Sequence, residues 1–385
     1  MAKIGHITRI AALAAAAALA ACGSGDATAS SVVRTDSAGV RVITSTGADT
    51  TLAWRFDTVG VLRDSVGDPF IFEGLTTRRV VTDRLGRVYV LVGDPAVLQF
   101  GRDGAYLRSI GRKGGAPGEM EYPGALMVQG DSLAVLDHQR NALVRWGPTL
   151  EPLNDLGLRG ALTGVEDIAF RSGGAWVETS SFTPEGRRTV LMSDTVGGVQ
   201  LLSAAKPRGV ILRACDMAIS LPPFFGPELR WTASGPRLLA TVGPQYDLRL
   251  YEGPRLIASI RREIPTRAPT DDDVRRLYPD GLKLAIPGGP TCGFPIEVLM
   301  TAGLAETMPF VFGLALLSDG TMWVRRSGRD ERPQIVDVFA SDGAYAGTVR
   351  GMALPVGLLP NGELLVPVHD AESGGQLLTR FRVIR

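Results

Sequence analysis

Few side chains in this 385-residue chain could do chemistry as a group. There are three histidines: His6, His138 and His369. His138 and His369 follow a similar apolar strand at the same offset, and Asp137 and Asp370 adjoin them. Two histidines on separate segments fall short of the three or four ligands a zinc site usually needs. They read as polar turn residues, and no metal site is assigned. Calcium held by backbone carbonyls in a central channel stays open. Asp271-Asp272-Asp273 lacks the alternating ligands, the sixth-position glycine and the distal glutamate of an EF-hand loop. Preceded by Thr270, it reads as a helix start, with an N-cap and acids in the first turn. No Gly-x-Ser-x-Gly elbow occurs. Cys215 and Cys292 do not form a Cys-x-x-Cys pair, and in an oxidising compartment they are expected to bond to each other.

What must position these residues is a repeat. One unit, a glycine turn followed by an alternating apolar strand, starts at Gly86, Asp131, Gly173, Pro236, Gly320 and Gly362. The spacings are 45, 42, 63, 84 and 42, so three sit at a propeller-blade period of about 40–50 residues. The two long spacings must hold insertions. Phe100-Gly101-Arg102-Asp103-Gly104-Ala105-Tyr106 matches Phe339-Ala340-Ser341-Asp342-Gly343-Ala344-Tyr345, with Asp-Gly as a hairpin turn in both. A single four-stranded sheet cannot bury both faces, whereas six packed radially can. The expected fold is therefore all-β: a six-bladed β-propeller over 37–385 with a small helical insertion at 263–307. A β-sandwich plus a second β domain is the alternative. Val40-Arg41-Val42-Ile43 is an early alternating strand and is expected to complete the last blade and close the ring.

Two resemblances sharpen this. Ser109–Met120 with Tyr122-Pro123, and then Val135–Trp146, resemble the inter-blade segment and the following strands of NHL-repeat propellers. The whole chain resembles six-bladed β-propeller lipoproteins of environmental bacteria. That family implies a fold and an address, without a settled activity. The glycine-rich stretch 111–118 is not a phosphate loop, because no Gly-Lys-Ser/Thr follows it.

The amino terminus supplies the address. Lys3 and Arg9 precede an apolar run of 12 residues, Ile10–Ala21, and then Cys22. The run is too short to span a bilayer and reads as a signal peptide over 1–21. Leu19-Ala20-Ala21-Cys22 resembles the bacterial lipobox. The resemblance implies cleavage before Cys22 and lipid on its sulfur; an ordinary secretory leader is the alternative. Residues 22–36 read as a small, polar, flexible tether. Gly23 is not the aspartate of inner-membrane retention, which leans toward the outer membrane in a host that has one.

Formal charge is +1, or −1 once Lys3 and Arg9 leave with the leader, so nucleic acid is not an expected partner. Apolar residues make up 45%, enough for a sizeable core. Each repeat strand is expected to be the inner strand of its blade; if the turns after it gather on one face, Asp94, His138, Arg325, Arg326 and His369 converge there and form the candidate binding face. Two functions follow. One is a membrane-anchored binding or scaffold protein for an envelope protein, peptide or glycan. The other is a calcium-dependent propeller hydrolase or lyase of the lactonase type. The repeat strands end in Val, Leu, Thr and Arg as often as in acids, which favours binding without catalytic residues.

Overall fold

The computed structural model describes residues 31–158, 165–171, 174–194, 198–215, 217–285, 291–326 and 333–385. Cys22 and the leader lie outside them.

Six antiparallel blades form a ring. Blade 1 runs through Val80–Thr82, Val88–Val92, Ala96–Phe100 and Tyr106–Ile110. Blade 2 holds Pro123–Gln129, Ser132–Asp137, Ala142–Trp146 and Pro152–Gly157. Blade 3 holds Val165–Arg171, Gly174–Thr183, Gly186–Ser193 and Val199–Pro207. Blade 4 holds Leu229–Ser234, Arg237–Val242, Asp247–Glu252 and Arg255–Arg262. Blade 5 holds Gly313–Leu316, Met322–Arg325, Ile335–Phe339 and Tyr345–Arg350. Blade 6 holds Gly357–Leu358, Leu364–His369, Gln376–Ile384 and, from the other end of the chain, Arg55–Val61.

The near-continuous apolar text of each repeat strand has a direct physical cause. Both of its faces are buried, each against a different neighbouring blade. Val88 and Val90 pack with Leu365 and Leu378 of blade 6, while Tyr89 and Leu91 pack with Leu126 and Val135 of blade 2. The same division gives one apolar cluster at each of the six blade junctions. All six repeat strands turn out to be second in their blades. The strands nearest the axis precede them, so the expectation that the repeat marks the inner strand is corrected. The true inner strands are harder to see: that of blade 6 is only Gly357–Leu358.

Ring closure also differs from expectation. Val40–Thr46 does not complete the last blade. It pairs in parallel with Arg255–Arg262 on the outer edge of blade 4, and Ser31–Ser37 pairs beyond it. Ile43 is inserted into the junction of blades 4 and 5, where it fills the space beside Gly343. Gly343 is at φ 92°, and a Cβ there would lie 2.9 Å from Ile43 Cδ1. The closing strand is Arg55–Val61, paired with Gln376–Ile384, and its Phe56 joins the junction of blades 5 and 6. The strand Ser31–Ser37 also overlaps the stretch read as tether.

The two long repeat spacings build one small unit. The connection from blade 3 to blade 4 forms a hairpin, Val210–Ala214 with Met217–Leu221. The connection from blade 4 to blade 5 holds the helix Asp271–Leu277, the hairpin Leu282–Ala285 with Thr291–Phe294, and a short helix Ile296–Leu299. Leu212, Phe224, Val274, Phe294 and Leu299 share a seventh core. Cys215 is bonded to Cys292 across the two connections, with Cα atoms 5.9 Å apart. The Thr270 amide donates to Asp273, which is buried and paired with Arg267 and Arg276. The acids here cap the helix.

Candidate functional site

Second strands run toward one face of the ring, here called the mouth. The turns that follow them lie there, together with the connections from one blade to the next. A cavity of about 900 Å³ opens at this mouth. Ile71–Arg78 before blade 1, Glu228–Trp231 of blade 4 and Phe312–Leu314 of blade 5 line it. Blade 3 forms a further wall. The hairpin Gly174–Thr183 with Gly186–Ser193 is the longest in the ring, and Glu178, Arg187, Thr189 and Lys206 face inward from that blade. Cross-strand partners share a face of the sheet, so Phe182, Arg187 and Lys206 stand side by side.

Among the side chains lining the cavity, cations outnumber carboxylates. Arg78, Arg187, Lys206, Arg230 and Arg325 line it against Glu73, Glu178 and Glu228. Lys206 and Arg230 both grip Glu228, at 2.5 Å each. Burial pushes the Glu228 carboxyl up, but Arg230 and Lys206 outweigh it and hold Glu228 below its ordinary value. Arg187 pairs with Glu166 at 2.6 Å on blade 3.

At the cavity floor Arg78 spans the channel. Its Nε lies 2.6 Å from Asp167 of blade 3, its Nη2 3.3 Å from Glu178, and its guanidinium 5.8 Å from the Trp231 ring centre. The Trp231 indole N–H donates to Glu178 at 2.6 Å. One arginine thus ties blades 1, 3 and 4 together. Burial pushes the Asp167 carboxyl up to about 7; Arg78 opposes the shift and Glu178 adds to it.

A second cavity of about 440 Å³ adjoins the first and shares Lys206, Glu228, Arg230, Phe312 and Arg325 with it. Its other side is the disulfide-linked unit, through Phe224, Phe225 and Tyr278. The two form one cleft, cationic over the channel and aromatic beneath the small unit.

The five residues expected to converge all lie on the mouth side, but only Arg325 and His369 line the main cavity. Arg325 Nη2 donates to the Phe312 carbonyl at 3.1 Å. Arg326 lies in a neighbouring pocket, where Asp49 and Asp337 hold it. His138 is half-buried against Tyr122, with ring centres 5.9 Å apart, and covers Gly124. Asp94 is an exposed turn residue. Asp137 is buried and accepts the backbone N–H groups of Glu121, Tyr122, Gln139 and Arg140. Asp370 accepts the N–H and hydroxyl of Ser373. The acids beside both histidines therefore close turns. Among the described residues no group of three or more His, Cys, Asp or Glu is placed to hold a metal.

Sequence reasoning alone misses Arg78, Glu178, Arg187, Lys206, Glu228 and Arg230. The signal it could use is a charge inside an apolar alternating strand, as with Glu178 and Arg230. Arg78 and Glu228 sit in inter-blade connections, which follow no repeat.

A scan of protein-family models and a search of curated proteins find no match. Among solved structures, a protein of Bacteroides fragilis described as exported is similar at 10% identity, with a TM-score of 0.54. The match covers 89% of this chain and 100% of that one. A member of the DUF4221 family from Bacteroides vulgatus is 9% identical over 86% of this chain and 99% of its own, with a TM-score of 0.48. BamB from Moraxella catarrhalis is 12% identical over 93% and 97%, with a TM-score of 0.32. At such identities the first likeness speaks for the fold alone, and the other two add nothing to it.

Proposed function

We propose that this propeller is an exported lipoprotein, anchored through Cys22, that binds an anionic, extended segment of an envelope partner in the mouth cleft. The observation that carries the binding reading is the excess of arginine and lysine over carboxylate in a cleft of ligand size. Inter-blade loops shape that cleft on a rigid ring, the usual division between scaffold and recognition surface. Export is supported by the Cys215–Cys292 bond, which belongs to an oxidising compartment, and by the leader and lipobox-like segment. The alternative, a calcium-dependent hydrolase, needs channel carboxylates open to a cation. Asp167 and Glu178 are instead bridged by Arg78.

Calorimetry on the full chain separates the two. Titration with a glutamate-rich peptide is expected to give saturable heat, and Arg187→Glu with Arg230→Glu is expected to weaken binding by about tenfold or more, roughly 1.4 kcal/mol. Saturable calcium binding with no response to the peptide would favour the hydrolase and overturn the binding reading.

A further inference from the structure

The path of the chain into the ring places Ser31 on the mouth side. Ser31 pairs with Thr46, and their hydroxyls lie 2.7 Å apart. Thr46 leads at once to Asp49, which is bound to Arg326 at the mouth-side end of blade 5. The first strand therefore enters from the mouth side, at the rim of blade 4. Nine residue steps separate Cys22 from Ser31, a reach of roughly 30 Å at full extension. This step rests on the lipid anchor of the proposed function. With Cys22 in a membrane, the mouth is the face kept near it.

That face carries a fitting surface. The blade 3 hairpin rises past the cavity rim, and Phe182 near its tip is 86% exposed. The neighbouring strand end, Pro207, pairs with Gly186, and Arg208 donates its N–H to the Glu185 carbonyl. The chain then enters Val210–Ala214, where Ile211 is 49% exposed. Arg188, Arg208 and Arg213 are exposed on these strands and the connection between them, with Glu185 exposed at the hairpin tip. An aromatic tip with apolar neighbours and arginines suits the interface of an anionic bilayer. There a ring sits at headgroup depth, and each cation near the surface contributes about 1 kcal/mol. The mouth side also carries exposed Asp94, Glu121 and Glu372, and the opposite face mixes Arg84 and Arg102 with exposed Asp103, Asp131, Asp319 and Asp342, so the apolar tip with its arginines, and not the overall charge of the face, marks the docking spot.

We infer that the mouth face docks on the anionic surface of the membrane that holds the anchor, with the tip of the blade 3 hairpin in the headgroup layer. The cleft then opens at the membrane, and the segment it receives belongs to a membrane-borne partner.

The test uses the full lipidated chain with Phe182→Trp, on phosphatidylglycerol-containing vesicles whose acyl chains are brominated. Of the five native tryptophans, 146, 176, 231 and 323 are buried and Trp54 is half-buried beneath Arg385, so the difference between this variant and the wild type isolates the signal from position 182. Docking predicts a blue-shifted emission and strong quenching at 182, weakened by Arg208→Glu and by high salt, with no quenching for Leu85→Trp on the opposite face. Equal quenching at 182 and 85, or none at 182, overturns docking. Intact-mass analysis of the same sample reports the anchor separately. Added lipid with no quenching leaves the anchor standing and removes the docking; quenching at 182 without added lipid does the reverse.

Discussion

Asp167 is the side chain whose environment departs furthest from water among those at the channel floor. It is 3% exposed, beside a second carboxylate and one arginine. Its carboxyl is pushed up to about 7, whereas an unfolded aspartate titrates near 3.9. Between those values the native state holds a proton that the unfolded state has lost. Its contribution to stability is therefore full below about pH 4 and is lost as pH rises through 7, a change of a few kcal/mol at most. Asp167→Asn cannot ionise. The melting temperature of the wild type relative to this variant is expected to fall from pH 4 to pH 7.5. A constant difference across that range would mean that Arg78 keeps the carboxylate charged throughout. Of the polar residues most visible in the sequence, His138 is half-buried and Asp137 is buried. The turn role of Asp137 is legible from a strand followed by Asp and a loop, and in the structure its oxygens accept four backbone N–H groups. Arg78 is not legible in the sequence, because its partners lie about 90 and 100 residues downstream and meet it only across the channel.

Elements that face two neighbours at once leave the clearest trace. The second strand of each blade does so, and its unbroken apolar runs, such as Val88–Val92, make the repeat visible in the amino-acid sequence. Closure is not legible in the same way. Val40–Thr46 and Arg55–Val61 are both alternating strands near the amino terminus, and local pattern cannot say which one reaches blade 6. Tertiary packing decides: Ile43 fills the junction of blades 4 and 5, and Phe56 that of 5 and 6. The long spacings announce insertions without revealing that two of them fold together. Their bond, Cys215–Cys292, spans a sequence separation of 77 residues, worth about 4 kcal/mol in the chain-entropy account. With Cys22 lipidated, thiol titration of the unfolded, unreduced protein is expected to read zero. Replacing both cysteines with serine is expected to loosen the core around Val274 and Phe294, seen as faster amide exchange there, while blades 1, 2 and 6 keep their protection. Two titratable thiols, or uniform loosening of the whole ring, would contradict this.

At the scale of the molecule, the ring is a frame that gathers connections from several blades onto one face. The six junction cores keep that frame rigid, and the long blade 3 hairpin and the disulfide-linked unit raise walls on the mouth side alone. Chain entry on the same side links recognition and anchoring in one geometry. The central claim is that the mouth cleft is where a partner is held, and site-specific photo-cross-linking in the producing cells tests it most directly. A photoreactive side chain at Thr189, inside the cleft, is expected to give discrete adducts that vanish with Arg187→Glu and Arg230→Glu. The same group at Leu85, on the opposite face, is expected to give none. Adducts at Leu85 alone, or adducts at Thr189 untouched by the charge reversals, would contradict the account.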